Sequence, residues 1–177
     1  AFDAGLPRLI AAAKNNGVAS LAIRRSYSMG VLGHPLEDVA AAGLVGLAFT
    51  NSPPNIAPVG GRKPLFGTNP MACAVPRKSA PPLVVDQASS VVTKVALVAA
   101  AKAGAAIPPT WALDDTGEPT TDAKKALSGS MQGFGGVKGV NLALMIDLFA
   151  AALTGANFSK DASPYSRPDG PPPGVGQ

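Results

Sequence analysis

The residues Phe134-Gly135-Gly136-Val137-Lys138-Gly139 run straight into VNLALMIDLFAAAL, a segment with almost no polar members. Glycines ahead of a helix let a bulky anion approach backbone N–H groups that have no partner inside the helix, and Lys138 would add a full positive charge there. The same residues also suit a plain flexible connector. They match neither the Walker pattern, which needs Lys-Ser or Lys-Thr after four intervening residues, nor the dinucleotide GxGxxG pattern. A second candidate is Asp86, which ends the apolar run of LVVDQASS. A carboxylate where a strand gives way to a helix can accept two ribose hydroxyls, and Ser89 and Ser90 can cap the helix or reach a phosphate. The plainer reading is an Asp that caps a turn.

Other chemistries are poorly supplied. The chain has one histidine, His34, and one cysteine, Cys73, too few to complete a zinc site by themselves. Cys73 lies in the run MACAV and is expected to be a buried strand residue with no disulfide partner in the chain. The net charge of +4 comes from scattered pairs (Arg24-Arg25, Arg62-Lys63, Arg77-Lys78, Lys124-Lys125) with no interleaved aromatics. That distribution suits an anionic small molecule or solvated surface and argues against nucleic acid. No apolar window reaches membrane-spanning length and no signal pattern opens the chain, so a soluble, cytoplasmic protein is expected.

These residues need elements to hold them. With 46% hydrophobic and 15% charged residues, the 177-residue chain can bury a true core. LPRLIAAAKNN repeats its apolar residues at three and four and predicts a helix stopped by Gly17. VASLAI reads as a strand, PLEDVAAA as a short helix opened by Pro35 and closed by Gly43, and LVGLAFT as a second strand, giving a β-loop-α-β unit. Residues 51–70 hold too many prolines and glycines for regular structure and predict a long ordered loop or lid. MACAVP and PLVVDQ predict an antiparallel hairpin. SSVVTKVALVAAAKA predicts a helix capped by Ser89 or Ser90 and ended at Gly104, and Asp122 can cap another short one. A final helix, from about Gly139 to Leu153, is apolar nearly all round and is expected to lie inside the molecule. The terminal SPYSRPDGPPPGVGQ is expected to be the least ordered part.

Taken together and in order, NSPPNIAPVGGRKPLFGTNPMACAVP, VVDQASS, IPPTWALDDTGEPTTD, FGGVKG and LTGANFS resemble the malate/L-lactate dehydrogenase family of NAD(P)-dependent oxidoreductases. This non-Rossmann family also includes ureidoglycolate, sulfolactate and diketogulonate enzymes and the reductases of cyclic imino acids such as piperideine-2-carboxylate. The resemblance implies an α+β fold with a mixed or antiparallel sheet and packed helices, like L-sulfolactate dehydrogenase and unlike a doubly wound fold. It also implies a homodimer and NAD or NADP as cofactor. The implied chemistry is reversible hydride transfer between the cofactor and a small 2-hydroxy or 2-oxo acid, or a cyclic imino acid. The family's Asp-Met-Ala-Thr-Ser cofactor segment falls on Asp86, Gln87, Ala88, Ser89 and Ser90, and its Gly-His-Lys-Gly turn on Gly136, Val137, Lys138 and Gly139. Ser52 matches a family cofactor contact, and Gly67, Thr68, Asn69 and Pro70 match its GTNP fingerprint, which also reads as a conformational hinge.

The departures fall on the catalytic side. Where the family writes Ser-Asn-His-Phe-Gly, this chain has Ser26, Tyr27, Ser28, Met29 and Gly30, so Ser28 stands in the place of the proton-transferring histidine. A serine hydroxyl cannot replace imidazole as acid or base without an activating partner. His34 lies six residues on, where the family often has tyrosine, and with Ser28 it makes up the catalytic candidates. Val95-Ala96 replaces an expected Gly-Lys pair, and Asn141 a usual glycine. Members of the family are far longer, with an N-terminal His-Gly segment and a further strand after this region. The chain therefore reads as a central part of such an enzyme, with residues 1–160 as the NAD(P)-binding portion and 161–177 as a Pro/Gly-rich tail. The alternative is a nucleotide-binding or structural relative that has lost hydride transfer.

Overall fold

The computed structural model describes residues 1–166 and 169–177. Helix α1 (Phe2–Asn16) ends at Gly17, whose φ of 83° only glycine adopts freely and whose N–H returns to the Ala13 carbonyl. Helix α2 (His34–Ala41) carries Pro35 in its first turn. Strands β1 (Gly46–Phe49), β2 (Met71–Val75) and β3 (Leu83–Gln87) form an antiparallel sheet in the order β1-β2-β3. The hairpin expected from MACAVP and PLVVDQ is thus present, with Met71 opposite Gln87 and Val75 opposite Leu83. Its inner face is built from small residues, Ala48, Ala72 and Ala74 with Val84. They let α1 and α2 pack closely through Leu6, Leu36 and Val39.

A second core lies among α3 (Lys94–Ala103), α4 (Ala123–Ser128), the short pair β4 (Ala112–Leu113) and β5 (Ser130–Met131), and α5 (Val137–Asp147). The proline-rich segment 51–70 is ordered, as expected. Its Ile56 is fully buried in this second core, where it pairs antiparallel with Phe66 and parallel with Met131. The sheets are antiparallel and the isolated bridges mixed, an α+β arrangement with helices packed on one sheet face.

Several expectations are corrected. Residues 18–23 join neither sheet, because the neighbour they find is not a strand beside them but the far end of the chain. Ile23 exchanges two backbone hydrogen bonds of 2.9 Å with Gln177, and Ser26 pairs with Val175. The last residues of the tail, far from being loose, are therefore built in, with Val175 fully buried. Helix α3 is capped by the Thr93 hydroxyl, which accepts from Ala96 N at 3.2 Å, and not by Ser89 or Ser90. Asp122 does cap α4, accepting from Lys124 N and Lys125 N.

Helix α5 begins two residues before Gly139, and after Asp147 it widens into a π-turn (Leu148–Ala152). It is not enclosed on all sides. Leu144, Met145, Leu148 and Phe149 are between 42% and 52% exposed. Phe149 stacks on Phe49 with ring centroids 5.3 Å apart. That contact joins this flank to the outer sheet face of Leu47, Cys73 and Val85, so Cys73 is only half-buried. Among the described residues no helix is long and apolar enough to cross a membrane.

Leu97 of α3 is fully enclosed in the second core. Leu97→Ala is expected to lower unfolding free energy by about 2–5 kcal/mol, measured by urea denaturation followed by circular dichroism.

Candidate functional site

The centre of the site is a set of backbone and side-chain bonds among four segments distant in sequence. Thr68 N donates to the Ser52 hydroxyl at 3.1 Å, and the two hydroxyls lie 3.4 Å apart. Ser89 N donates to the Thr68 carbonyl at 2.8 Å, and the Ser89 hydroxyl to the Asn69 carbonyl at 2.7 Å. Phe134 N then donates to the Ser89 carbonyl at 3.0 Å, which draws the FGGVKG turn to the same place. Ser52, Thr68, Asn69, Ala88, Ser89, Val137, Lys138 and Gly139 are thereby brought together. Asn69 sits at the left-handed φ of 28°, is fully buried, and bonds to protein through both its amide oxygen and its amide nitrogen.

The start of α5 has the chemistry of an anion cradle. Its N-cap, Gly136, has φ 67° and offers no side-chain cap. Gly139 N donates to the Phe134 carbonyl and Val140 N to the Gly136 carbonyl, while the N–H groups of Val137 and Lys138 find no acceptor among the described residues. The Lys138 side chain is exposed, as is Val137. Gly139 is required by space, since a methyl there would meet the Phe134 backbone N and O.

Strand alternation separates the remaining candidates. Asp86 shares the inner face with Val84 and turns toward α2, where its Oδ2 accepts from Gly33 N at 2.8 Å at the helix start. It does cap, but it caps a different helix from the one that follows it in sequence. The other oxygen has no partner among the described residues. Gln87 faces the opposite way, beside Met71. This bond sets His34, the first residue of α2, next to the Asp86 end of the strand. His34 is 82% exposed and lies 3.8 Å from the Glu37 carboxylate. Ser28 is exposed in the preceding loop, where its hydroxyl accepts only a long 3.5 Å bond from Gly30 N. No activating base touches it among the described residues.

Three residues of interest escaped the sequence reading. Lys94 opens α3 just past Ser90, and burial alone lowers its pKa below the usual lysine value; among the described residues no carboxylate forms an ion pair with it. A lysine placed at a helix start, where it opposes the dipole, is the signal that could have marked it. Asp147, a lone acid in the otherwise apolar α5 segment, and Ser159, the last residue of LTGANFS, are buried beside Asn69, a partner that neither position indicates locally.

The family model for malate/L-lactate dehydrogenase matches residues 1–177. The chain belongs to that family. Over 99% of this chain, the family relatives include a (2R)-3-sulfolactate dehydrogenase (NADP(+)) of Chromohalobacter salexigens, 46% identical across 53% of its own length. A Delta(1)-pyrroline-2-carboxylate reductase of Burkholderia ambifaria is 44% identical, again over 99% of this chain and 52% of its own length. Among solved structures, delta1-piperideine-2-carboxylate reductase from Pseudomonas syringae pvar. tomato superposes with a TM-score of 0.92 at 39% identity, covering 99% of this chain and 53% of that one. Sulfolactate dehydrogenase from Methanocaldococcus jannaschii gives 0.88 at 31%, covering 99% and 50%. This malate/L-lactate dehydrogenase family chain thus spans about half the length of the relatives it matches, and its α+β fold is theirs.

Because folding disfavours the charged form of Lys94, its penalty is full at neutral pH and fades as pH rises through the lowered folded-state pKa toward the unfolded value of 10.5. Lys94→Met is therefore expected to raise the melting temperature at pH 7 in the absence of ligand, with the gain shrinking at alkaline pH. Thermal melts of both proteins across that range check it.

Proposed function

We propose that this chain forms the NAD(P)-binding part of an oxidoreductase that moves a hydride between a nicotinamide cofactor and a small 2-hydroxy or 2-oxo acid, or a cyclic imino acid. The observation that carries this reading is the uncapped, glycine-started α5, with Lys138 exposed in its first turn, bonded through Phe134 and Ser89 to the Ser52 and Thr68 hydroxyls. The open N–H groups of Val137 and Lys138 and the Lys138 ammonium would bind phosphate, and Gly139 keeps the backbone close. Ser52 and Thr68 would donate hydroxyls, with Asn69 fixing them from beneath. Asp86, through its unpaired oxygen, would hold ribose hydroxyls, with Ala88 next on its side of the strand and Gln87 offering its amide from the opposite face. The names of the relatives, sulfolactate dehydrogenase and pyrroline-2-carboxylate reductase, support an anionic substrate of this class.

The cofactor, once bound, supplies the hydride. The chain must supply a proton beside the reacting carbon. His34, held at the start of α2 by the bond from Gly33 to Asp86 and open to solvent, would be the imidazole placed to give or take it. Ser28, standing in the same approach loop, would orient substrate or water by its hydroxyl. A second reading, a relative that binds the nucleotide without turning over, is favoured by the exposure of Ser28 and its lack of an activating base.

The reading also takes the protein to be cytoplasmic and a homodimer, the latter supported by the apolar outer face. Leu47, Phe49, Cys73, Val85, Leu148 and Phe149 carry no charge. Two chains of net charge +4 can meet there without opposing like charges.

Titration with NADH and NADPH followed by nicotinamide fluorescence tests the core of this reading; no binding at millimolar cofactor rules it out. Lys138→Ala is expected to weaken binding about tenfold, since it removes a charge-assisted contact, and Val137→Ala by no more than about twofold. Equal effects would return FGGVKG to being a connector. Turnover of 2-oxo acids and cyclic imines with the bound cofactor separates the enzyme from the non-catalytic relative.

A further inference from the structure

Beneath the Ser52 and Thr68 pair lies a closed polar cluster with no apparent use to the core around it. Asp147, in the last turn of α5, is 4% exposed. Its carboxylate accepts from the Asn51 amide at 2.9 Å, the Ser159 hydroxyl at 2.8 Å and the Ser159 backbone N–H at 3.1 Å. Every one of these donors is neutral. Ser159, fully buried, also approaches the Asn69 Oδ1 at 3.2 Å, and that same oxygen accepts from Ser52 N at 3.1 Å. The Asn69 Nδ2 donates to the Ala143 carbonyl, one turn before Asp147, at 2.8 Å.

Such an arrangement is costly as pure scaffolding. A buried carboxylate without a cation loses hydration, and a non-glycine residue in the left-handed region is strained. Both costs abut the hydroxyls read above as cofactor contacts: the strained Asn69 follows Thr68, and Asn51, a donor to the carboxylate, precedes Ser52. The geometry also fixes a direction. The Ser159 hydroxyl has one proton and two oxygen acceptors, and the shorter contact is to Asp147. Asp147 therefore orients Ser159 so that its proton is shared with the Asn69 oxygen, which also accepts from the Ser52 N–H. Through Ala143 and Asp147 the same cluster grips α5 at two successive turns. Lys138 lies nine residues upstream of Asp147, about 14 Å along a rigid helix axis, so the grip sets where the anion cradle stands relative to Ser52 and Thr68.

We propose that Asp147, acting through Ser159 and Asn69, is a positioning residue that holds the Ser52 and Thr68 hydroxyls in register with the N-terminal turn of α5, and so sets cofactor affinity. This rests on the cofactor reading above.

The test is a double-mutant cycle on the whole chain, with the NADPH dissociation constant as readout and circular dichroism as the check on folding. Ser159→Ala, which keeps the backbone bond to Asp147, and Thr68→Ala should each weaken binding about tenfold. The double variant should also lose only about tenfold, because both changes disable one unit. A roughly hundredfold loss in the double variant, or a Ser159→Ala protein that melts earlier yet binds as tightly as the parent, would show a merely structural role and overturn the proposal. Should Ser159→Ala fail to fold, Asp147→Asn combined with Thr68→Ala is judged by the same criterion. If the parent protein binds neither NADH nor NADPH, the cofactor reading falls and this inference with it; a parent that binds beside an unaffected Ser159→Ala overturns this inference alone.

Discussion

Asn69 has to answer four neighbours at once from a backbone conformation that costs energy. Its carbonyl takes the Ser89 hydroxyl, its side-chain oxygen serves Ser52 N and Ser159, and its amide nitrogen reaches Ala143. At φ 28° these groups can be aimed together; an extended residue at the same place would point its carbonyl and side chain elsewhere. Asparagine tolerates this region better than most side chains because its short amide finds local partners. The loop at Ser52, the segment after the hairpin at Ser89, the middle of α5 at Ala143 and the turn at Ser159 all meet at this one residue. The geometry of the candidate site follows from that meeting.

The rest of the architecture serves it at longer range. Small alanines on the inner sheet face bring α2 close enough for Asp86 to reach Gly33, which fixes His34 at the edge of the same hairpin. The π-turn after Asp147 admits an extra residue into the helix. Asp147 shares the inward face with Val140 and Ala143 at three- and four-residue spacing while Leu144, Met145, Leu148 and Phe149 stay exposed, so the buried polar cluster and the exposed apolar flank are two sides of one helix. The outer sheet face and this flank then form one uncharged surface, tied by the two phenylalanine rings.

Much of this was legible in local sequence. The hairpin, the caps at Gly17, Gly104 and Asp122, and the ordered proline-rich loop all follow from short-range chemistry that acts within a few residues. Where the reading failed, a distant partner had intervened. Ser89 and Ser90 look like caps, but their hydroxyls are spent on the Asn69 and Val92 carbonyls, and the cap falls to Thr93. VASLAI has the composition of a strand, yet no strand lies beside it. The helix after FGGVKG is apolar all round in sequence, and only the fold decides which side remains uncovered. The motifs that resemble the family located the Ser52, Thr68 and Lys138 segments. Ser159 ends the LTGANFS motif and Asp147 is a lone acid in an apolar helix, but what gives them a role is contact across 90 and 96 residues with Asn69 and Asn51, which no local pattern shows.

The pinning of residues 173–177 into the body has a consequence for how the molecule comes into being. Thr50 and Asn51, next to Ser52, are bonded to Gly176 across 126 and 125 residues, and Asn51 is also a ligand of the Asp147 carboxylate. On a ribosome adding about 5–20 residues per second, the first strand and its loop must wait on the order of ten seconds for that partner to be made. During that interval the polar groups of Asn51 stay open to water or to other proteins. The candidate site is complete only once Gly176 has been made.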